Sequence, residues 1–255
     1  MISELTEQGA LISVATARTP ATVEPILGDT LTAGELVVMT GSAIWDRRSR
    51  RFVAIKLLPE RDVEKIHDVF GRHGVSAFCY VLNGDNRYLD VYHESAVLTA
   101  PEDVFVRERA ALTLKGFHLG KGCPRELYGR VVLFFGLGCK DAIVGVAEEL
   151  RRLTDCYVSY YKDNYSEDMW MLEIFAPGVS KAAGMKLLKE RLGVDRVVAF
   201  GDNLNDIPML QAADVAVVVE NALDDVKAVA DFVIGPNTEP SVAEFIRKDF
   251  LGEID

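Results

Sequence analysis

Both ends of this chain alternate short apolar runs, rich in β-branched residues, with stretches of helical periodicity. The runs at 197–200 and 215–219 are apolar at every position, so they have no face for solvent and need cover on both sides. Strands of a parallel sheet receive such cover from the helices of βαβ crossovers. The N-terminal part reads as a helix end at 2–8 stopped by Gly9, a strand at 11–15, and a helix from Thr19-Pro20 to Leu27 broken by Gly28. Strands at 36–39 and 43–45 follow, about a Gly41-Ser42 turn. The C-terminal part gives strands at 169–175, 197–200, 215–219 and 232–234, and helices at 181–192, 203–211, 223–229 and 241–250. The class expected is α/β, with a doubly wound parallel sheet.

Between these ends the texture changes. Strands are expected at 51–56, 77–82, 87–93, 130–135 and 157–161, and helices at 59–73, near 101–109, and at 140–153. Asn83-Gly84-Asp85-Asn86 is a hairpin signal, and the block reads as an antiparallel sheet with helices on one face. All 8 tyrosines and all 4 cysteines fall here. The expected organisation is a core of residues 1–46 and 171–255 with an inserted α+β domain of 47–170.

The net charge of -11 repels phosphate backbones and anionic lipid surfaces, which argues against nucleic-acid and membrane partners. The one basic cluster, Arg47, Arg48, Arg50 and Arg51, lacks interleaved aromatics and reads as a solvated turn. No apolar run approaches the roughly 18 residues of a bilayer span, and the N-terminus carries no signal pattern, so the cytoplasm is the expected location. The cysteines form no CxxC pair, which suits reduced structural thiols.

Ligands of open α/β sheets bind beyond the carboxyl ends of the strands. Two apolar runs deliver polar residues there. Residues 11–15 lead into Thr16-Ala17-Arg18, and 197–200 lead into Gly201-Asp202-Asn203-Leu204-Asn205-Asp206. Carboxylates and amides at the spacing of Asp202, Asn205 and Asp206 suit a hard cation such as Mg2+, and Asp202 with Asn203 equally suits a helix cap. Thr16 offers its hydroxyl and the N–H groups that follow to a phosphoryl oxygen, or caps the helix at Pro20. Lys181 opens a helix, where the dipole disfavours a cation, so an anion is expected nearby.

The pieces Val14-Ala15-Thr16-Ala17-Arg18, Gly178-Val179-Ser180-Lys181-Ala182, Gly201 to Asp206 with Pro208-Met209-Leu210, and Glu220-Asn221-Ala222 resemble the haloacid dehalogenase superfamily in order and spacing. They look most like the Cof-type sugar-phosphate phosphatases, whose α/β cap is inserted after the third core strand. The stretch from Met39 to Ile44 resembles the family's Asn-Gly-Ala hairpin, with Thr40 and Ser42 in the changed positions. The resemblance implies a Mg2+-dependent phosphomonoesterase acting on a small phosphorylated metabolite such as a sugar phosphate. By it, Thr16 and Ala17 bind the transferring phosphoryl group, Lys181 neutralises its charge, Asn205 contacts phosphate, Asp202 ligates Mg2+ and Asp206 supports the metal shell. Thr16 and Lys181 are thus the catalytic candidates.

The family's first motif, a strand ending in Asp-x-Asp-Gly-Thr, supplies the nucleophile, the acid/base aspartate and a backbone metal ligand, and it is not among these residues. Asp29-Thr30-Leu31 follows a helix rather than an apolar strand and does not replace it. That strand would lie in mid-sheet, between the runs at 197–200 and 11–15. The expectation is a truncated enzyme. The alternatives are direct pairing of the two flanking strands, a strand donated by a partner, and an inactive phosphate-binding or regulatory protein. A phosphomutase would share the core motifs but carries a smaller helical cap.

Overall fold

A computed structural model describes residues 1–162 and 169–254. In chain order the elements are α1 (Ile2–Glu7), α2 (Pro20–Leu27), β1 (Glu35–Val38), β2 (Ala43–Asp46), β3 (Arg51–Ile55), α3 (Glu60–Arg72), β4 (Ala77–Leu82) and β5 (Leu89–His93). Next come α4 (Ala100–Ala110), β6 (Lys115–Leu119), β7 (Val131–Gly138), α5 (Lys140–Leu153), β8 (Tyr157–Lys162) and β9 (Trp170–Phe175). The last part holds α6 (Lys181–Leu192), β10 (Val198–Gly201), α7 (Ile207–Ala212), β11 (Val215–Val219), α8 (Asp224–Lys227), β12 (Phe232–Ile234) and α9 (Ser241–Phe250). Two compact units emerge, one of residues 1–18, 26–49 and 180–255, the other of 19–25 and 50–179.

The first unit is α/β. Strands β10, β11 and β12 pair in parallel with β11 in the middle, where its unbroken apolar sequence has neighbours on both edges. Met185 of α6, Met209 and Leu210 of α7 and Val226 of α8 pack with Ala199, Ala216 and Val218 of the sheet. Each such side chain removed from water contributes about 1.5–3 kcal/mol. Strands β1 and β2 form an antiparallel hairpin about Met39–Gly41.

The run at 11–15, expected as a strand, completes only one edge. The Ile12 and Val14 carbonyls accept from Ala33 and Val37, the Thr16 N–H donates to Val37, and Ala15 forms a parallel bridge with Val37. Its other edge faces a cavity instead of a neighbour. Arg47 is also not the solvated residue expected, since its guanidinium donates to the Gly28 and Thr30 carbonyls at 2.8 and 2.6 Å.

The second unit is a six-stranded sheet in the order β6-β5-β4-β7-β9-β8, antiparallel except for β5 and β6. Val63, Ile66, Val69 and Phe70 of α3 and Ile143, Val146 and Leu150 of α5 bury one face against Cys79, Phe134, Leu172 and Ile174. Side chains alternate along a strand, so Phe78 and Phe135 point the other way, where Phe105 of α4 meets them at ring distances of 5.1 and 4.8 Å. Helices therefore lie on both faces, not one.

Two further differences from the sequence reading follow from pairing. Strand β6 has a sequence, Lys-Gly-Phe-His-Leu, with too little apolar periodicity to announce itself, yet β5 holds it in register over five residues. Strand β9, read as part of the parallel sheet, pairs antiparallel with β7 and β8, because burial on both faces gives the same apolar run in either kind of sheet.

All four cysteines are free, and the Cys123 thiol donates to the Pro124 carbonyl at 3.7 Å. Among the described residues no helix is long and apolar enough to cross a membrane. Helix α4 begins with a reciprocal cap, in which the Glu102 carboxylate accepts from the Thr99 N–H and hydroxyl at 2.8 and 2.9 Å. Thr99→Ala is expected to lower stability by about 1 kcal/mol, read as a shift of the urea midpoint at constant slope.

Candidate functional site

The site of the first unit is assembled from three carboxyl-end loops. At the end of β10, Gly201 turns the chain so tightly that an added Cβ would stand 2.6 Å from the Asp206 Cβ. This lets Asp206, 4% exposed, fold back under its own loop. Its Oδ2 accepts from the N–H groups of Asp202 and Asn203, both at 3.2 Å, and its Oδ1 takes the Lys181 ammonium at 2.6 Å. The Lys181 side chain is only 12% exposed. The anion expected beside this helix-start lysine is therefore Asp206, 25 residues away in sequence.

Lys181 is fixed by the way α6 starts. The Ser180 hydroxyl caps the helix by accepting from the Ala183 N–H at 3.1 Å. The Ser180 carbonyl lies directly against the Cα of Gly41, where a methyl group would overlap it. Gly41 has φ +91, and it follows Met39 and Thr40 at φ 49 and 57, so three consecutive residues occupy the left-handed region. That turn also holds Thr16, whose carbonyl accepts from the Thr40 N–H at 3.0 Å. The Thr16 hydroxyl itself accepts from the Arg18 N–H at 3.1 Å. Sequence reasoning gave Gly41 to a turn and assigned no role to Ser180; the signal available was the glycine inside the Met39–Ile44 stretch.

The structure thus links Lys181, Asp206 and the Asp202 backbone directly, and brings Thr16 and Ala17 to the same end through the Gly41 turn. Asn205 is exposed and its side chain meets none of them. The Asp202 carboxylate is also exposed, with no hydrogen bond or ion pair among the described residues. Among those residues no group of three or more His, Cys, Asp or Glu could hold a metal ion. A single open carboxylate still matches Mg2+, which retains several waters and takes one or two carboxylates plus phosphate oxygens. Asp206, with both oxygens engaged, fits a supporting role better than a direct ligand.

Between the two runs that carry these loops lies a cavity of about 480 Å³, lined along their backbones by Gly9 to Ala15 on one side and Val197 to Phe200 on the other. Val37, Met185, Leu188, Met209 and Phe245 add apolar walls. The Lys181–Asp206 and Thr16–Thr40–Gly41–Ser180 contacts put both carboxyl ends at the same end of this slot, so the two flanking runs are parallel.

The family model for haloacid dehalogenase-like hydrolase matches residues 1–111 and 138–246. The chain belongs to that family. A 5-amino-6-(5-phospho-D-ribitylamino)uracil phosphatase of Bacillus subtilis is 26% identical over 250 residues, covering 96% of this chain and 84% of the relative. A pyridoxal phosphate phosphatase of Escherichia coli is 48% identical over 77 residues, 29% of this chain and 28% of the relative. Among solved structures, a haloacid dehalogenase-like hydrolase from Bacteroides thetaiotaomicron superposes with a TM-score of 0.76 at 21% identity, covering 97% of this chain and 90% of that one. A haloacid dehalogenase subclass IIB sugar phosphatase gives 0.71 at 19%, covering 99% and 90%. This haloacid dehalogenase-like hydrolase is an enzyme of the phosphatase type.

Proposed function

We propose that the chain is a Mg2+-dependent phosphomonoesterase of the cytoplasm, acting on a small phosphorylated metabolite such as a sugar phosphate. In this reading the first unit is the catalytic core and the second is the cap. The observation that carries the reading is the Lys181–Asp206–Asp202 network at one end of an apolar slot whose other wall ends in Thr16. Phosphoryl transfer needs positioning and positive charge against the equatorial oxygens more than it needs covalent machinery. The Lys181 ammonium supplies charge, with Asp206 fixing where it points. The Thr16 hydroxyl and the Ala17 N–H are donors to a phosphoryl oxygen, and Asn205 is free to add a third. Asp202 would hold Mg2+, which when bound neutralises charge on the phosphoryl group. The names of the relatives, phosphatases of a ribitylamino-uracil phosphate, pyridoxal phosphate and sugar phosphates, share a small phosphomonoester and suit a substrate of that class.

The slot bears on the nucleophile. A strand set between residues 11–15 and β10 would satisfy both open edges and release its next residues between Thr16 and Asp202, where the family's Asp-x-Asp-Gly-Thr motif would put its carboxylates. The test is hydrolysis of p-nitrophenyl phosphate with Mg2+, by this chain and by one extended through such a strand. Activity that appears only with the extension and is abolished by Asp202→Ala supports the reading. Activity already present in the shorter chain would place the nucleophile among the present residues and overturn the role given to the slot. Silence from both chains, each folded, would favour a phosphate-binding or regulatory protein.

A further inference from the structure

The sheet face of the second unit that carries α4 holds charged groups that phosphoryl transfer does not use. Lys115 of β6 is 5% exposed. Among the described residues its ammonium has no hydrogen bond and no ion pair; its neighbours are the ring faces of Tyr80 and Phe117, at 4.9 and 6.0 Å. Registers explain the meeting. Lys115 pairs with Leu89, and Val91, two residues further along β5, pairs with Tyr80, so all four share a face. Burial, reinforced by the charge of Arg109, pulls the Lys115 amine down to about 7.

Every other charged group of this face is accounted for. Arg109 of α4 lies over the Phe105 ring at 4.1 Å and donates to the Phe105 carbonyl and to Glu108. His93 and Glu102 face each other at 3.4 Å. Glu173 of β9, also buried, shares the face two strands beyond Tyr80, and among the described residues no ion pair joins it to Lys115; burial pushes its carboxyl up to about 7. What remains is a buried lysine whose ammonium has no paired anion among the described residues, with the charge of Arg109, itself paired to Glu108, acting on it. A methionine would fill the same volume without the desolvation penalty, so packing alone does not account for a lysine here. A buried ammonium without an ion-pair partner is the arrangement an anion completes.

We propose that Lys115, supported by Arg109, forms an anion-binding site in the second unit that takes the carboxylate or phosphate group of a small ligand. The proposal uses none of Thr16, Lys181 and Asp202, and it does not rest on the proposed activity. In binding, the anion's oxygens accept from the Lys115 ammonium, and the ligand's charge replaces the missing counter-charge.

The test is thermal unfolding of the wild-type chain, K115M and K115R, each alone, with malonate and with inorganic phosphate. Without anion, K115M is expected to melt about 2–4 °C above the wild type, because a buried charge is gone. Saturating anion should raise the wild-type and K115R midpoints by a similar amount and K115M by less. Phosphate can also bind at Lys181, so the increment that counts is the difference between wild type and K115M. A response to phosphate alone assigns a phosphoryl ligand, and one to malonate assigns a carboxylate. K115M melting below the wild type, or equal increments in both, would overturn the site. A second measurement needs no variant: malonate or phosphate should slow reductive methylation of Lys115 at least about fivefold relative to the exposed lysines, read by peptide mass spectrometry. An unchanged rate with both anions would count against it.

Discussion

Asp206→Ala is expected to destabilise the chain by about 3–5 kcal/mol, because it leaves a largely buried lysine without its anion. Three losses coincide at this one side chain. The Lys181 ammonium loses its partner at 2.6 Å, the N–H groups of Asp202 and Asn203 lose the acceptor they share, and the packing of Asp206 against Gly201 disappears. Asp206→Asn keeps the shape and one acceptor but not the charge, so it should lose about half as much. Urea unfolding of both variants checks the order. If Asp206→Ala moves the midpoint by less than the equivalent of about 1 kcal/mol, the pair does not organise the loop. In a catalytically competent form, the same substitution should lower kcat/KM by about 10²–10³, since Lys181 would no longer point where charge develops. Restoring stability with a second-site substitution should leave that deficit in place.

How much of this was legible beforehand depends on whether a feature is local. Helices α5 and α6 stand where periodicity and capping put them, α6 closing on Gly193 at φ +65. Residues 215–219 become the central strand for the reason that marks them, apolar side chains on both faces. Local patterns fail where pairing decides. Strand β9 carries the same apolar signature as a parallel strand but finds antiparallel neighbours, and β6 owes its existence to β5. Residues 11–15 have the composition of a strand and, among the described residues, lack a partner on one side. The site divides likewise. Thr16, Asp202, Asn205 and Asp206 are visible as polar residues after apolar runs and Lys181 as a cation at a helix start, whereas the Lys181–Asp206 pair joins loops that only the fold brings together. Nothing in the order of residues 39–42 announces that three successive residues take left-handed backbone, because that strain is set by α6 pressing on the turn.

Gly41→Ala should approach the loss of Asp206 in its damage, at about 2–5 kcal/mol, and a second glycine separates its two causes. The first cause is backbone conformation. At φ +91 an L-residue meets a penalty of about 1–2 kcal/mol. The second is space, because the added methyl would overlap the carbonyl of Ser180, a backbone atom that cannot rotate away. Relief requires the start of α6 to retreat, and Gly184 shows how little room exists: a Cβ there would stand 2.9 Å from the Gly41 Cα. Forcing atoms into such a contact adds about 1–3 kcal/mol. Gly193 has φ +65 with nothing within 4 Å of a Cβ, so Gly193→Ala carries the conformational penalty alone and should lose only about 1–2 kcal/mol. Equal losses at the two positions would show that conformation, not contact, makes Gly41 necessary. A larger loss at Gly41 means that the turn and α6 are held at backbone contact, and any residue that separates them also draws Lys181 away from Asp206.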